Sequence, residues 1–385
     1  MSERAPTLAV IGGGQLARMM AQPAIALGLP LRLLAEAPGV SAAQVIPDQV
    51  VGDYTDLATL REVTAGCRVV TFDHEHVPAA HLHALLADGI AVRPGPDALV
   101  HAQDKAVMRE RLAELGVPCP RNAVVATPDE VAAFGLPCVL KTTRGGYDGK
   151  GVWVVRDLRE ADAAFEAAAA AGVQVLAEEL VEFRRELSAL VARSPSGQAA
   201  AYPVVASTQL DGICHEVIAP APDLEPALAG EAQRIALQIA GALDVTGILA
   251  VELFETVDGR ILVNELAMRP HNTGHWSQDG AVTSQFENHL RAVMDLPLGS
   301  PAPRERWTVM VNILGGPTDS GHLYDGLPHA MARDPQLRVH LYGKDLRPGR
   351  KVGHVNAYGD DLDDCLERAR HAAAWFRGDL GETSE

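Results

Sequence analysis

Apolar residues follow two rhythms along this chain. Compact apolar runs, Thr7–Ile11 and Leu31–Ala35, flank a stretch, Gln15–Leu27, whose apolar positions recur at helical spacing. Gly12-Gly13-Gly14 separates the first run from that stretch, so the segment reads strand, turn, helix, strand. Arg68–Phe72 and Ile90–Arg93 are further strand-like runs, with a helical pattern over His81–Ala87. The first hundred residues therefore predict a parallel sheet flanked by helices. A helical pattern over Asp104–Leu115 stops at Gly116-Val117-Pro118. Strand-like Val139–Thr142 and Val152–Val155 bracket a glycine-rich segment, and Ala161–Ala171 is Ala-rich and helical. Val173–Ala177 and Glu186–Ala192 read as strands before the turn Pro195-Ser196-Gly197, and Leu228–Leu243 as a long amphipathic helix. Gly247–Thr256 and Arg260–Asn264 are strands joined at Asp258-Gly259. After the helix Ser284–Met294, a proline-rich connector, Pro297–Arg304, leads to a strand-rich unit ending near Tyr358 and a last helix, Leu362–Phe376. No internal repeat is visible.

The length of 385 residues corresponds to two or three domains at roughly 150 residues each. The boundaries predicted are 1–103 for the parallel unit, 104–300 for a central unit with a flap-bearing subdomain at about 120–180, and 301–385 for a small strand-rich unit. Composition narrows the function. Hydrophobic residues are 47% and charged residues 22%, which suits a packed core, and with aromatics at 4% that core falls to Leu, Val, Ala and Ile. The net charge, 33 − 50 = −17, argues against a protein that grips nucleic-acid phosphates. Five scattered cysteines with no C-x-x-C predict reduced thiols rather than disulfides or zinc. No apolar stretch approaches the roughly 20 residues of a membrane span, and no secretory pattern opens the chain. A cytoplasmic location is expected.

Five constellations carry candidate chemistry. Gly12–Ala17 fits G-x-G-x-x-A, with Glu36 at the end of the next strand where a ribose hydroxyl would sit in a dinucleotide site. The alternative is a tight turn without ligand. Second, Lys141 to Gly151 holds Gly145, Gly146, Gly149, Gly151 and the cations Lys141, Arg144 and Lys150. Strands on both sides make it a hairpin flap, not a strand-to-helix phosphate loop, and its amides and lysines suit a polyphosphate. Third, a two-residue turn at Asp258-Gly259 makes paired positions sum to 517, placing Glu252 opposite Glu265. Opposed like charges in an apolar strand are costly, and a divalent cation between them removes the cost. One protonated carboxylate, or Arg269 beside the pair, is the other solution. Fourth, Met268 to Trp276 is dense in donors; Arg269 falls near the pair, while His271 and His275 lack a third ligand for zinc. His74-Glu75-His76 reads as a loop edge after Phe72. Fifth, Lys344 to His354 carries Lys344, Arg347, Arg350 and Lys351, a local positive pocket for a monophosphate.

These stretches together resemble the N5-carboxyaminoimidazole ribonucleotide synthetase family of ATP-grasp enzymes. The matching segments are GGGQLARM, TFDHEHV, AQDK, LKTTRGGYDGKG, AEELVEFRRELSALVAR, YPVV with DGI, VELF with NELAMRPHNTGHW, SQFENHLRAVMDLPL and YGKDLRPGRKVGH, in family order over nearly the whole chain. The resemblance implies an ATP-grasp fold of mixed α/β and α+β class, with a Rossmann-like parallel sheet before it and a small strand-rich unit after it. It also implies ATP with magnesium, bicarbonate and 5-aminoimidazole ribonucleotide as reactants, carboxyphosphate as intermediate, purine synthesis as the setting and a homodimer as the assembly. By position, Lys105 and Lys141 would hold ATP phosphates under a flap of Gly145, Gly146, Tyr147, Asp148, Gly149, Lys150 and Gly151. Glu178, Glu179, Leu180 and Val181 match the adenine hinge, Glu186 the ribose contact, and Gln209 and Asn264 neighbouring nucleotide positions. Glu252 and Glu265 match the magnesium ligands. Arg269, His271, Asn272 and Tyr147 would face bicarbonate and carboxyphosphate; Gln15, Leu16 and Glu75 would border the ribonucleotide, with Lys344, Arg350 and Lys351 at its phosphate. Lys105 and Lys150 stand where arginine is usual, which keeps the charge and loses the fork. Gln209, Asp73 and His76 also depart from the family pattern. Competing readings are a formate-using glycinamide ribonucleotide transformylase, an NAD-dependent oxidoreductase, and a nucleotide-binding module without turnover.

Overall fold

A computed structural model describes residues 6–146, 150–210, 212–316 and 323–380. Its first sheet is parallel and five-stranded. In chain order its strands are β1 (Leu8–Ile11), β2 (Leu31–Ala35), β3 (Gln49–Val51), β4 (Val69–Phe72) and β5 (Ala91–Val92), arranged β3-β2-β1-β4-β5. Every residue of β1 and β4 is buried, as expected for a parallel sheet covered on both faces. The short element β3 and the helices Leu57–Thr64 and Pro96–Gln103 carry too weak a pattern to be read from sequence.

A four-stranded antiparallel sheet follows: β6 (Asn122–Val125), β7 (Cys138–Thr142), β8 (Val152–Val155) and β9 (Val175–Glu179), in the order β6-β9-β7-β8. β7 and β8 pair directly, Lys141 opposite Val152, so the glycine segment is the tip of a hairpin.

The largest sheet has nine strands: β10 (Phe183–Arg193), β11 (Ala199–Ala201), β12 (Val205–Leu210), β13 (Ile213–Ala219), β14 (Gly247–Thr256), β15 (Ile261–Ala267), β16 (Trp307–Leu314), β17 (Arg338–Leu341) and β18 (Lys351–Gly359). The C-terminal strands share this sheet, because β16 pairs with β13 and so joins them to the central strands. The helix Pro226–Ala242 buries Ile235, Ala236 and Ile239 in a core that continues to Leu249, Val251 and Leu253 of β14. The helix Gln285–Val293 packs Phe286, Leu290 and Val293 against the N-terminal unit. The last helix, Leu362–Arg377, covers β16 and β18 through Ala369, Ala373 and Phe376.

The hairpin between β14 and β15 differs from the two-residue turn expected. Thr256 N–H donates to Arg260 O at 2.9 Å, closing a three-residue loop, with Gly259 at φ +80°. Near the loop Leu253 pairs with Val263, yet Glu252 pairs with Glu265. Asn264 is the extra residue of a β-bulge. The longer loop and the bulge offset each other, so Glu252 still faces Glu265.

Candidate active site

The three sheets converge on one cleft of about 1610 Å³. Its floor is the β14–β15 hairpin. The bulge at Asn264 brings two consecutive side chains, Asn264 and Glu265, onto the cleft beside Glu252. Lys105, at the start of the helix Lys105–Glu114, reaches Glu265 Oε1 at 2.9 Å. Lys141 of β7 donates to Asn264 Oδ1 at 3.1 Å and pairs with Glu178 Oε2 at 2.7 Å. Two lysines from separate elements thus meet the carboxylate floor.

Behind this floor lies a group that sequence reasoning passed over. Arg109 is 2% exposed. Its Nε donates to Glu178 Oε1 at 2.6 Å, Nη1 to Val263 O at 3.0 Å and Nη2 to Asn264 O at 2.8 Å. One guanidinium therefore ties the bulge to β9. Burial alone would raise the Glu178 carboxyl, but Lys141 and Arg109 outweigh it and hold it at about 2. A lone arginine in a helical pattern carries no sign of this role, because its partners are remote in sequence.

Glu252 stands in the opposite condition. Burial first, then the charges of Glu265 and Glu186, push its carboxyl up to about 8. Glu186 itself is raised to about 7 by burial. His271 Nε2 lies 3.4 Å from Glu252 Oε1, and burial, then Arg269, keep that imidazole neutral well below its usual range. Glu252, Glu265 and Asn264 all offer oxygen atoms, and burial, then the neighbouring carboxylates, favours the protonated form of the first. That donor set fits a hard divalent cation. No group of three or more His, Cys, Asp or Glu side chains able to hold a metal occurs among the described residues, so such a cation would also need ligands from a bound phosphate chain.

Arg269 is held from the N-terminal unit, by the bend after β4. Its Nε donates to Glu75 Oε2 at 3.0 Å, and Glu75 Oε1 accepts from Met268 N–H at 2.9 Å. His271 Nδ1 lies 2.8 Å from Thr273 Oγ1, which in turn meets Ser188 Oγ at 2.7 Å. His275 also borders the cleft, with its Nδ1 engaged 3.0 Å from Gln285 Nε2.

The remaining residues singled out from sequence distribute around this centre. Glu179, Leu180, Val181, Glu186 and Gln209 line one wall, and Gln15, Leu16, Glu75 and Asn272 another. Lys344, Arg350 and Lys351 close the far end, with Lys344 Nζ on Gln15 Oε1. Gly145, Gly146 and Lys150 border the cleft from the β7–β8 tip. Gly151 stands back from the wall; its carbonyl accepts from Thr142 N–H at 3.0 Å, closing the hairpin. Tyr147, Asp148 and Gly149 lie outside the described residues. Cys214 and the stacked rings Phe183 and Phe254, 4.8 Å apart, also line the cleft and were not singled out.

The N-terminal glycine turn departs from the dinucleotide expectation. Glu36 Oε2 accepts from Gly13 N–H at 3.0 Å, so Glu36 occupies the turn instead of waiting for a ribose. Asp73 sits over the helix start and accepts from Ala17 N–H at 3.3 Å. Burial raises Asp73 to about 6, with the Ala17 amide opposing and Glu36 adding to the rise. A pyrophosphate placed there would meet two carboxyl groups. The oxidoreductase reading loses its anion site.

Comparison with known proteins places the chain in a family. Residues 5–103 match the ribonucleotide synthetase preATP-grasp domain model, 110–286 the ATP-grasp domain model, and 308–368 the phosphoribosylaminoimidazole carboxylase C-terminal domain model. The chain is 58% identical over 377 residues to the N5-carboxyaminoimidazole ribonucleotide synthase of Mycobacterium tuberculosis, covering 97% of this chain and 88% of that protein. It resembles the crystal structure of the Thermus thermophilus N5-carboxyaminoimidazole ribonucleotide synthetase, with a TM-score of 0.84, 37% identity and coverage of 98% and 99%. The Aspergillus clavatus synthase, solved in complex with ADP and 5-aminoimidazole ribonucleotide, superposes with a TM-score of 0.88 at 30% identity, covering 97% and 99%.

Proposed function

The chain belongs to the N5-carboxyaminoimidazole ribonucleotide synthase family, and we infer from its cleft how it performs the ATP-dependent carboxylation of 5-aminoimidazole ribonucleotide in purine biosynthesis. The observation that carries the reading is the Glu252–Glu265 pair, flanked by Asn264 and met by Lys105 and Lys141 from two other elements.

ATP lies with its phosphates over this floor. Lys105 and Lys141 neutralise them, and Gly145, Gly146 and Lys150 of the β7–β8 tip border them. Glu179 to Val181 hold the adenine edge, and Glu186 and Gln209 lie along the nucleotide. Glu252 and Glu265, with Asn264 beside them, would hold magnesium, which when bound would supply charge neutralisation at the transferring phosphoryl group.

A bicarbonate oxygen attacks the γ-phosphorus as the bond to ADP breaks, giving carboxyphosphate. Arg269 and Asn272 supply donors for that anion, and the Glu75 carboxylate fixes the guanidinium so that little reorganisation is needed. His271, kept neutral, orients without adding a proton. The exocyclic amine then bonds to the carboxyl carbon, directly or after its release as CO2. The carbon–oxygen bond to phosphate breaks, and the amine proton leaves with phosphate. Gln15, Leu16 and Glu75 border the ribonucleotide, and Lys344, Arg350 and Lys351 take its phosphate. Exclusion of water by the flap protects carboxyphosphate. No described helix is long and apolar enough to cross a membrane. A cytoplasmic location and a homodimer belong to this proposal and are open to fractionation and sedimentation.

Coupled ADP release tests the reading. Turnover is expected only with bicarbonate and 5-aminoimidazole ribonucleotide together. Formate with glycinamide ribonucleotide replacing both would overturn it in favour of the transformylase, and ATP binding without turnover under every acceptor would leave a mere nucleotide module.

A further inference from the structure

Just past β17 the chain, still bonded to β18 through Tyr342, lays Tyr342–Lys344 against the N-terminal unit. Tyr342 is 1% exposed and packs with Leu16 and Met20 of the helix Gln15–Leu27. Two residues of the loop after β2 grip the backbone of this strap. Ser41 Oγ donates to Tyr342 O at 2.6 Å, and Gln44 Nε2 donates to Gly343 O at 2.7 Å. Arg18 sets both, with Nη1 donating to Ser41 O at 2.8 Å and to Gln44 Oε1 at 3.1 Å. Gln44 is thereby oriented unambiguously: its oxygen faces a guanidinium and its nitrogen a carbonyl. Gly343 has φ +62°, and a Cβ there would come 3.0 Å from the Arg18 guanidinium and closer still to Gln44, so only glycine lets the strap seat this deeply.

The strap leads directly into the basic end of the cleft. Lys344, the next residue, reaches Gln15, which lies one turn before Arg18 on the same helix. Tyr342 N–H donates to Val352 O at 2.9 Å, so the strap also braces the strand that begins with Lys351. Arg18, Ser41 and Gln44 do not themselves border the cleft.

We propose that Arg18 and Gln44 are positioning residues for the phosphate end of the ribonucleotide site. They clamp the Tyr342–Gly343 backbone to the N-terminal unit and so set Lys344 and Lys351 at the spacing a phosphate monoester requires. The inference rests on the reading that Lys344, Arg350 and Lys351 take that phosphate. On this view the subsite is composite: its cations come from the C-terminal strands and its register comes from the N-terminal unit.

Steady-state kinetics on Gln44→Met, Arg18→Met, Arg18→Lys and Lys351→Ala test it, with ATP and ribonucleotide varied separately. Gln44→Met removes one hydrogen bond to the strap, and the ribonucleotide KM is expected to rise about 3- to 10-fold. Arg18→Met releases both Ser41 and Gln44 and is expected to raise it further, Arg18→Lys less. The Gln44→Met/Arg18→Met double variant is expected to add little, since both act through one strap. The ATP KM, kcat and melting temperature should stay near wild type. If Lys351→Ala raises the ribonucleotide KM while the Gln44 and Arg18 variants leave it unchanged, the clamp is wrong and the phosphate reading stands. If the Gln44 and Arg18 variants lower kcat, melting temperature and both affinities together, their role is structural and the proposal falls. If Lys351→Ala leaves the ribonucleotide KM unchanged, the phosphate reading fails and takes the clamp with it.

Discussion

Glu252 and Glu265 illustrate how a residue's chemistry is set by what crowds it. Both are glutamates on one hairpin, yet Glu265 is ion-paired to Lys105 while Glu252 is driven toward its protonated form. A cation bound between them would reverse the second condition. Removing Glu265 should therefore separate catalysis from folding. Glu265→Ala is expected to lower ATP turnover at least about 100-fold, as for loss of a group that stabilises transferring charge. Circular dichroism should be unchanged, because the variant relieves repulsion on Glu252. Near-normal turnover would sink the cation site. Both glutamates were legible from sequence, since a hairpin signal and two acids in apolar strands are local facts. Arg109 was not, because nothing near it in the chain announces Glu178.

At the scale of elements, the β14–β15 hairpin shows a sequence argument arriving at the right pair by an inexact route. The Asp258-Gly259 signal suggested a two-residue turn, but Thr256 and Arg260 close a three-residue loop. The bulge at Asn264 restores the register and places Asn264 and Glu265 on the same cleft. Arg109 holds the carbonyls of Val263 and Asn264 and so braces the bulge. Arg109→Met would leave Glu178 buried with Lys141 as its remaining cation. We expect a loss of about 3 kcal/mol or more in urea unfolding, in line with breaking a buried ion pair. The ATP KM should rise as well, because Lys141 is then drawn toward Glu178. Wild-type stability in this variant would mean that Lys141 alone satisfies the carboxylate. The glycine turn after β1 is the converse case. Its motif was correctly seen as a βα turn, but the acids that fill it, Glu36 and Asp73, come from two other strand ends.

Across the whole molecule, buried neutral histidines join the sheets. His289 is fully buried on the helix Gln285–Val293; its Nε2 lies 2.8 Å from Thr71 Oγ1 on β4, and its Nδ1 accepts from Ile248 N–H on β14 at 3.2 Å. Burial depresses it to about 3. His275 and His354, stacked at 5.0 Å, are likewise pushed well below the usual range by burial. The unfolded chain takes up protons on these rings near pH 6.5, whereas the folded chain does not until far lower. The share of stability that depends on these neutral rings is thus full above about 6.5 and is lost as pH drops toward 3, whereas the raised carboxyls of Asp73, Glu186 and Glu252 act in the opposite sense. Urea titrations at pH 7 and pH 5 isolate the His289 share by difference: His289→Gln should be less stable than the wild type at pH 7, with a slope between the two pH values displaced toward less loss on acidification. An unchanged slope would mean that His289 is not among the groups that resist protonation.

Most of the strands and helices, the hairpin flap and the acidic pair could be read in advance because each depends on neighbours a few positions apart, where periodicity and turn chemistry act. The family resemblance added the substrate, which no spacing rule supplies. Folding alone brought Arg109 to Glu178 across 69 positions, Thr71 to His289 across 218 and Ser41 to Tyr342 across 301. Such meetings depend on how packed sheets close over one another. A local pattern records which face of an element is buried but not which distant polar group will be waiting there.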